Sequence, residues 1–259
     1  MRFAKVIIRT PASSFAQGQK TVDLGEPDYQ KALAQHEGYR VALTACGAAV
    51  TVLPPLEAYP DAQFVEDSAV LTDHCAIMAY SGAPSRMGEA QEMLKHLQTE
   101  FEDIHFISGE GRLDGGDVLK LDEHYYIGIS RRTNPAGAEQ LASILKLHGY
   151  THTIVDIRQV PRILHLTTGM TCLGDNTVLV CTELRNRVEF SGRRVLEVPV
   201  AEENYAANCI RMNDHVIFAA CFDQTAEVVE KAGYDLVSIP ISEFMKMDGG
   251  LSCLSLRYN

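Results

Sequence analysis

The chain has 259 residues, of which 46% are hydrophobic, and its 23 Lys and Arg against 34 Asp and Glu give a formal net charge of −11. The hydrophobic share excludes a disordered chain, and the acidic excess disfavours binding to nucleic-acid backbones or anionic membrane surfaces. No apolar run approaches the ~20 residues of a membrane span. The N-terminal residues show no signal-peptide pattern, and the seven Cys form no CxxC pair. These features predict a cytoplasmic protein with reduced thiols.

Short apolar runs typical of strands alternate with helix-like segments, and no linker marks a domain boundary. We therefore expect a single domain over residues 1–259. In chain order the pattern predicts strand 5–10, helix 28–46, strands 50–54, 69–72 and 76–80, helix 88–101, strands 104–108, 118–121 and 125–129, helix 134–148, strands 153–157, 177–181, 194–198 and 216–220, helix 223–232, and strands 236–239 and 253–257.

A weak internal repeat accompanies these elements. Three Asp or Asn residues are each followed, seven residues later, by a His and then by a strand. The pairs are Asp67 and His74, Asp117 and His124, and Asn208 and His215. About five units of roughly 50 residues fit the chain if its two ends complete one unit. This predicts a ring of small mixed units around a central axis, and the lack of a Gly-rich strand-to-helix turn disfavours a doubly wound parallel sheet.

Carboxylates cluster at two predicted strand entrances. Asp61, Glu66 and Asp67 precede one strand, and adjacent carboxylates repel unless a cation or a proton lies nearby. Asp114 and Asp117 flank a Gly pair before another strand, where glycine permits close approach of a ligand. The alternative interpretations are a solvated loop for the first cluster and an ordinary Gly-Gly turn for the second. A planar guanidinium would suit such a set, because its fork of donors matches carboxylates.

A thiol and an imidazole occupy similar positions. His165 interrupts an apolar, strand-like run at 161–167, and a Gly pair brings Cys253 to the mouth of the last predicted strand. A Cys and a His suit nucleophilic catalysis, although a core His and an inert buried Cys are the alternatives. His74 beside Cys75 is a pair of metal-ligand type, but no second pair has ligand spacing, so the sequence predicts no metal site.

Five motifs resemble those of the dimethylarginine dimethylaminohydrolases, relatives of arginine deiminase and the amidinotransferases in the guanidine-modifying superfamily. They are FVEDSAV at 64–70, LDGGDVL at 113–119, SRRTN at 130–134, LHLTTG at 164–169 and DGGLSCLSLR at 248–257. The resemblance implies an α/β fold, the five-bladed pseudosymmetric α/β propeller (pentein), in one domain. It implies hydrolysis of mono- or asymmetric dimethylarginine to citrulline and an amine through a covalent Cys thiouronium. The implied partner is a small cationic guanidino amino acid, without cofactor, nucleic acid or membrane, and a homodimer is allowed.

The resemblance also assigns roles to ten residues. Cys253 would be the nucleophile, His165 the general acid/base, and Asp114 would hold either the imidazole or the substrate guanidinium. Residues 11–25 would form a mobile lid with hinges at Gly18 and Gly25. The implied substrate-binding residues are Glu66 and Asp67 for the guanidinium, Arg86 and Arg132 for the carboxylate, Asp61 with the backbone of Phe15 for the α-amino group, and Asp248.

Two departures bear on the substrate. Arginine deiminases and amidinotransferases resemble one another in carrying His-x-Asp, whereas Thr167 occupies that Asp position here. A missing carboxylate leaves room for N-methyl groups and favours methylated arginine. Asp114 stands where many relatives have Glu, and its contact is therefore open. Arginine deiminase-like hydrolysis, amidino transfer, and a non-catalytic binding factor of the same fold are the competing interpretations.

Overall fold

The computed structural model describes residues 2–21, 23–202 and 205–259, and within these ranges the strands form five sheets of three. In every sheet the middle strand pairs antiparallel with one neighbour and parallel with the other. The strands are β1 (Lys5–Arg9), β2 (Ala49–Leu53), β3 (Ala69–Leu71), β4 (Ala76–Met78), β5 (Ile104–Phe106), β6 (Val118–Leu121), β7 (His124–Ile129), β8 (Thr151–Asp156), β9 (Met170–Gly174), β10 (Thr177–Val180), β11 (Arg194–Glu197), β12 (Ile210–Met212), β13 (His215–Ala219), β14 (Asp235–Ile239) and β15 (Leu256–Tyr258).

Each sheet is one unit of the ring, and the two ends of the chain complete one of them, as predicted. Unit 1 contains β15, β1 and β2, because β15 pairs antiparallel with β1 from Lys5 opposite Tyr258 to Ile7 opposite Leu256. Units 2 to 5 contain β3–β5, β6–β8, β9–β11 and β12–β14. The five-unit α/β architecture predicted for the chain is thereby confirmed.

Helices lie in four of the five parallel crossovers. The helices are α1 (Tyr29–Ala45), α2 (Glu89–Glu100), α3 (Pro135–Leu147), α4 (Leu166–Gly169), α5 (Asp223–Lys231) and α6 (Ser242–Met245). The crossover of unit 4 instead contains single 3-10 turns at Thr182–Leu184 and Val188–Phe190. The predicted start of α3 is confirmed, since the Asn134 side chain caps it by accepting from Gly137 N. None of the helices in the described ranges has the length and apolar composition of a membrane span.

The hydrophobic core lies within and between the units. In unit 3, Tyr125 and Ile127 of β7 pack in one buried cluster with Leu141 and Leu145 of α3. Full burial of one such leucine contributes about 1.5–3 kcal/mol. Apolar contacts therefore hold the outer helices against the sheets. The polar turns are left to face the axis of the ring.

The structure differs from the sequence pattern at two segments near the axis, the start of the predicted strand 253–257 and the strand-like run 161–167. Cys253 lies in a 3-10 turn, Ser252–Leu254, and the last strand begins only at Leu256. His165 directly precedes the one-turn helix α4 rather than lying in a strand. The predictions also missed β9, β12 and α6 as separate elements. Elements of three to five residues carry too little periodicity to separate a turn from a strand.

Hydrogen bonds between neighbouring units explain the repeated Asp and Asn residues. Asp67 accepts from Gly116 N at 3.0 Å, where unit 3 begins. Asp117 accepts from Leu166 N at 3.0 Å, where unit 4 begins, and Asn208 Oδ1 accepts from Ser252 N at 2.9 Å, before β15 of unit 1. The repeat thus links the start of each of these units to the start of the next, and it brings their turns together at the axis.

The Gly pair of the 113–119 motif serves the same close packing. A Cβ built on Gly115 would lie 1.9 Å from the carbonyl oxygen of Glu66, and one on Gly116 would lie 2.9 Å from the His165 ring. Only glycine permits these approaches. The pair therefore lets protein groups approach each other, whereas the sequence pattern had indicated space for a ligand.

Candidate active site

The turns at the axis enclose a cavity of about 310 Å³. Phe64, Leu164 and Met247 give it apolar walls, and the segment 19–21 borders it. Seven of the ten predicted site residues line it, namely Asp61, Asp67, Arg86, Arg132, His165, Asp248 and Cys253. Phe15, Glu66 and Asp114 are buried in the surrounding protein. The structure therefore brings together residues that are distant in sequence.

The turn that carries Cys253 is held by its neighbour Ser252. Ser252 N donates to Asn208, and Ser252 Oγ donates to Glu66 Oε2 at 2.8 Å. Gly250 N donates to the Cys253 sulfur at 3.5 Å. Burial of the thiol, followed by the nearby carboxylates of Glu66 and Asp67, raises the pKa of Cys253 above its ordinary value. At neutral pH the sulfur is therefore a neutral thiol.

His165 is fixed through its backbone and surrounded by carboxylates. Its Nε2 lies 3.3 Å from Asp114 Oδ2 and 3.9 Å from Asp67 Oδ1. Burial alone would lower its pKa, but the charges of Asp67, Asp114 and Asp117 outweigh burial and raise the pKa of His165 to about 9. The imidazole is therefore protonated at neutral pH and can donate a proton.

Asp114 is fully buried and contacts His165. The sequence left open whether Asp114 holds the imidazole or the substrate guanidinium, and this contact bears on that choice. Its carboxylate also accepts from Gly82 N at 3.1 Å and lies 3.4 Å from Arg132 Nη1. Burial opposes ionisation, but the hydrogen bond and charge of His165, followed by the charges of Arg86 and Arg132, lower the pKa of Asp114 to about 2. Asp114 is thus placed to orient the imidazole.

Arg86 is buried and largely saturated by protein groups. It donates to Asp67 through Nη1, to Glu89 through Nε and Nη2, and to the Phe64 carbonyl at 2.9 Å. Glu89 escaped the sequence analysis because it lies in the first turn of α2, where acidic residues are common. Substrate binding by Arg86 stays a prediction, and few of its N–H groups are left for a ligand.

Glu66 is directed away from the cavity that Cys253 lines. It accepts from Ser252, pairs with Arg257 Nη2 at 3.4 Å, and lines a second cavity of about 100 Å³ together with Thr167. Burial raises the pKa of Glu66 to about 7. The charge of Arg257 partly opposes this shift, and the charge of Asp67 adds to it. Its predicted grip on the guanidinium stays a prediction. Its charge nevertheless acts on Cys253.

The predicted lid segment closes the cavity through hydrogen bonds to predicted site residues. Gln19 N donates to both oxygens of Asp61, at 3.1 and 3.2 Å, and Thr21 N donates to Asp248 Oδ2 at 2.5 Å. The Gln19 side chain donates to Ser85 Oγ at 2.6 Å and accepts from Arg132 at 2.8 Å. Phe15 packs against Phe244 with ring centroids 5.7 Å apart. Mobility of this segment stays a prediction, and Val22 within it lies outside the described residues.

Positioning residues missed by sequence reasoning include Asp117, Asn208 and Ser252. The first two were visible as repeat members without an assigned role, and their hydrogen bonds hold the turns that carry His165 and Cys253. Asp117 also accepts from Ser130 Oγ at 2.6 Å. A repeated polar residue at a strand entrance was the available signal.

One trio in this site has the donor atoms to hold a metal ion. Ligand atoms of Asp67, Asp114 and His165 lie within 4.8 Å of one another. Arg86 and Arg132, however, already contact the two carboxylates. A further cation in this site is therefore better matched by the planar, delocalised charge of a guanidinium than by a compact metal ion.

Five α/β units with a cysteine, an imidazolium and buried carboxylates at their axis define the class, the pentein α/β propellers of the guanidine-modifying superfamily. The family model described as N,N dimethylarginine dimethylhydrolase, eukaryotic, matches residues 5–255. The chain belongs to the dimethylarginine dimethylaminohydrolase family.

Relatives and a solved structure agree over the full length. A Pseudomonas aeruginosa N(G),N(G)-dimethylarginine dimethylaminohydrolase is 40% identical over 257 residues, covering 99% of this chain and 100% of the relative. The Streptomyces coelicolor protein of the same description is 32% identical, covering 98% and 96%. The structure of a cysteine-to-serine mutant of the Pseudomonas aeruginosa enzyme, complexed with citrulline, superposes with a TM-score of 0.95 over 100% of each chain at 40% identity.

The raised pKa of Cys253 predicts slow alkylation of the free protein. We expect modification of Cys253 by iodoacetamide to be slow at neutral pH and to accelerate above the ordinary thiol pKa of 9.0, because only the thiolate reacts. Mass spectrometry of the Cys253 peptide between about pH 6 and about pH 10 measures the rate. Exposed Cys221 serves as an internal reference. A rate that is already at its plateau near neutral pH would contradict the neutral thiol.

Proposed function

We propose that the chain hydrolyses mono- or asymmetric dimethylarginine to citrulline and methylamine or dimethylamine, through a covalent thiouronium on Cys253. The observation that carries this proposal is that Cys253, His165 and the carboxylate of Asp67 line one small, partly apolar cavity. Membership of the family supports it. The cavity volume suits a single amino-acid substrate.

Binding of the substrate cation activates the thiol. Burial, followed by the carboxylates of Glu66 and Asp67, raises the pKa of Cys253 in the free protein, and a bound guanidinium offsets the part that the carboxylates contribute. The thiol proton passes to solvent water, and the resulting thiolate attacks the guanidinium carbon to form a C–S bond. The tetrahedral adduct is neutral until His165 protonates the departing nitrogen. Asp67 stabilises the planar cation of the substrate and the positive charge that this protonation restores.

His165 moves the proton in both halves of the reaction. As an imidazolium it protonates the departing methylamine or dimethylamine when the C–N bond breaks, which leaves the S-alkylthiouronium on Cys253. The neutral imidazole then takes a proton from water, which attacks the thiouronium carbon, and the C–S bond breaks to release citrulline. Asp114 keeps the ring oriented and favours its protonated form.

The amino-acid end of the substrate meets the closed lid. In our proposal Asp61 and the Phe15 carbonyl receive the α-ammonium, and Arg132 and Arg86 receive the carboxylate. Gln19 N now donates to Asp61, so an ammonium would compete with it for the same oxygens. We further propose that the chain acts as a single catalytic domain in the cytoplasm.

Thr167 favours methylated arginine over arginine. Its side chain is buried, and Oγ1 has no hydrogen-bond partner within the described residues. Thr167 lines the second cavity, not the one that Cys253 lines. The Asp that arginine deiminases and amidinotransferases carry at this position holds an unsubstituted guanidinium, and its absence here disfavours both of those activities. The absence of that carboxylate weakens the binding of an unsubstituted guanidinium more than the binding of a methylated one.

A substrate panel tests the proposal through ureido-product formation. We expect kcat/KM for monomethylarginine and asymmetric dimethylarginine to exceed that for arginine by at least about tenfold, with agmatine poorer because it lacks the carboxylate. Equal or better use of arginine would assign a deiminase. Turnover that requires an added amine acceptor would assign amidino transfer. No product, together with no protection of Cys253 from alkylation by any guanidine, would assign a binding factor.

A further inference from the structure

A second cluster of ligand-type side chains lies where unit 2 meets unit 3, outside the active-site cavity. Cys75 directly precedes β4, His105 is the middle residue of β5, and His148 follows α3. The donor atoms of these three residues lie within 4.8 Å of one another. Cys75 is fully buried, and the two imidazoles are half-buried.

The distances within this cluster fit a tetrahedral ion. His105 Nε2 and His148 Nε2 lie 3.3 Å apart. Two nitrogens bound to zinc at ~2.0 Å in tetrahedral geometry are separated by about 3.3 Å. Asp103 Oδ1 lies 3.2 Å from His105 Nε2, and Asp103 Oδ2 lies 3.4 Å from His148 Nε2. Asp103 is thus placed as a fourth ligand on the solvent side.

We propose that Cys75, His105, His148 and Asp103 bind a borderline transition-metal ion, represented by Zn²⁺. One sulfur, two imidazole nitrogens and one carboxylate oxygen form a ligand set that zinc accepts. Binding releases the thiol proton to solvent. A tetrahedral site sets the sulfur about 3.5 Å from each nitrogen, a spacing inside the 4.8 Å that encloses the three donor atoms. The stacking of His74 on His148, with centroids 6.0 Å apart, holds one imidazole in place.

The ion would join two neighbouring units rather than take part in the reaction. It would connect the start of β4 and the middle of β5 to the end of α3, and none of its ligands lines the active-site cavity. The adjacent His74 and Cys75 gave only half of a ligand pattern in the sequence, because the other proposed ligands, Asp103, His105 and His148, lie 28, 30 and 73 residues beyond Cys75. Without an ion, one N–H···N bond between the two imidazoles accounts for the 3.3 Å contact.

Cobalt(II) titration of the full chain tests this site. The Cys253→Ser variant, stripped with chelator, removes the active-site thiol from competition. We expect one equivalent of Co²⁺ to bind with thiolate-to-cobalt charge-transfer absorption, and Zn²⁺ to displace it. Cys75→Ser should abolish that absorption, and His105→Gln and His148→Gln should each weaken binding by at least about tenfold. The exposed His152→Gln is the matched control and should bind unchanged.

Thermal unfolding gives a second measurement that does not depend on Cys75. Zn²⁺ should raise the Tm of the Cys253→Ser protein and of its His152→Gln form, but not of its His148→Gln form, because an ion that binds only the folded state stabilises it. Absence of stoichiometric binding would overturn the proposal. So would binding that survives both Cys75→Ser and His148→Gln, which would assign the ion to Asp67, Asp114 and His165.

Discussion

Cys253→Ala should reduce kcat/KM for monomethylarginine by about 10⁴-fold or more while the fold survives. Removal of a nucleophile eliminates the covalent route, and the remaining charges and binding contacts recover little of it. The turn should persist, because Ser252 N and Ser252 Oγ rather than the thiol make its hydrogen bonds to Asn208 and Glu66. Ureido-product formation measures the loss, and circular dichroism with thermal unfolding checks the fold.

Two other cysteines separate the loss of the nucleophile from general effects of thiol removal. Cys221 is exposed, and the Cys221→Ala variant should keep both activity and stability unchanged. Cys209 lies in the core. Cys209→Ala should lower the free energy of unfolding by about 1 kcal/mol through the small cavity it creates, with little effect on turnover. Residual citrulline formation by Cys253→Ala above about one per cent of the original rate would remove Cys253 from the mechanism.

The ring architecture was largely accessible from sequence because its signals are local and repeated. Asp67, Asp117 and Asn208 recur before strands, and the structure shows why: each accepts a backbone N–H where the next unit starts. The ends of the helices were also predictable, because capping residues and glycines start or stop a helix through contacts within a few residues along the chain. The residues brought to the axis follow from this ring.

The finer geometry of the site was not accessible, because it depends on tertiary contacts. Nothing in the sequence indicates that Glu89 saturates Arg86, or that Glu66 turns toward Arg257 rather than toward the cavity of Cys253. The one-turn helix after His165 is likewise fixed by Asp117 from the preceding unit. The individual roles came from resemblance to a family, and the structure supplies distances and charges against which they can be judged.

In the proposed mechanism, the charges of the site make activation of the Cys253 thiol depend on a bound substrate cation. Asp67, Asp114 and Asp117 together hold a proton on His165, while burial, followed by the charges of Glu66 and Asp67, holds the proton on Cys253. The free site is therefore set for acid catalysis but not for nucleophilic attack. A bound guanidinium would offset the charge of Asp67 at both groups, so it would ease deprotonation of Cys253 and ready the His165 imidazolium to release its proton.

His165→Asn should lower kcat with monomethylarginine by about 10³-fold, because no group then protonates the leaving amine or activates the water. With a substrate whose leaving group needs no proton, such as an S-alkylthiocitrulline, the first step should survive and the thiouronium should accumulate. Intact-protein mass spectrometry detects that adduct. Full turnover of both substrates by His165→Asn would exclude the imidazole from proton transfer.

Asp114→Asn is the matched variant that tests the charge on His165 without removing the ring. The imidazolium donates its proton only below its own pKa, so activity of the unaltered protein should fall as the pH rises through about 9. The Asp114 carboxylate helps to raise that pKa, and neutral Asn should therefore move this alkaline limb of the kcat profile to lower pH. A purely structural role for Asp114 would lower activity at every pH and leave the limb in place.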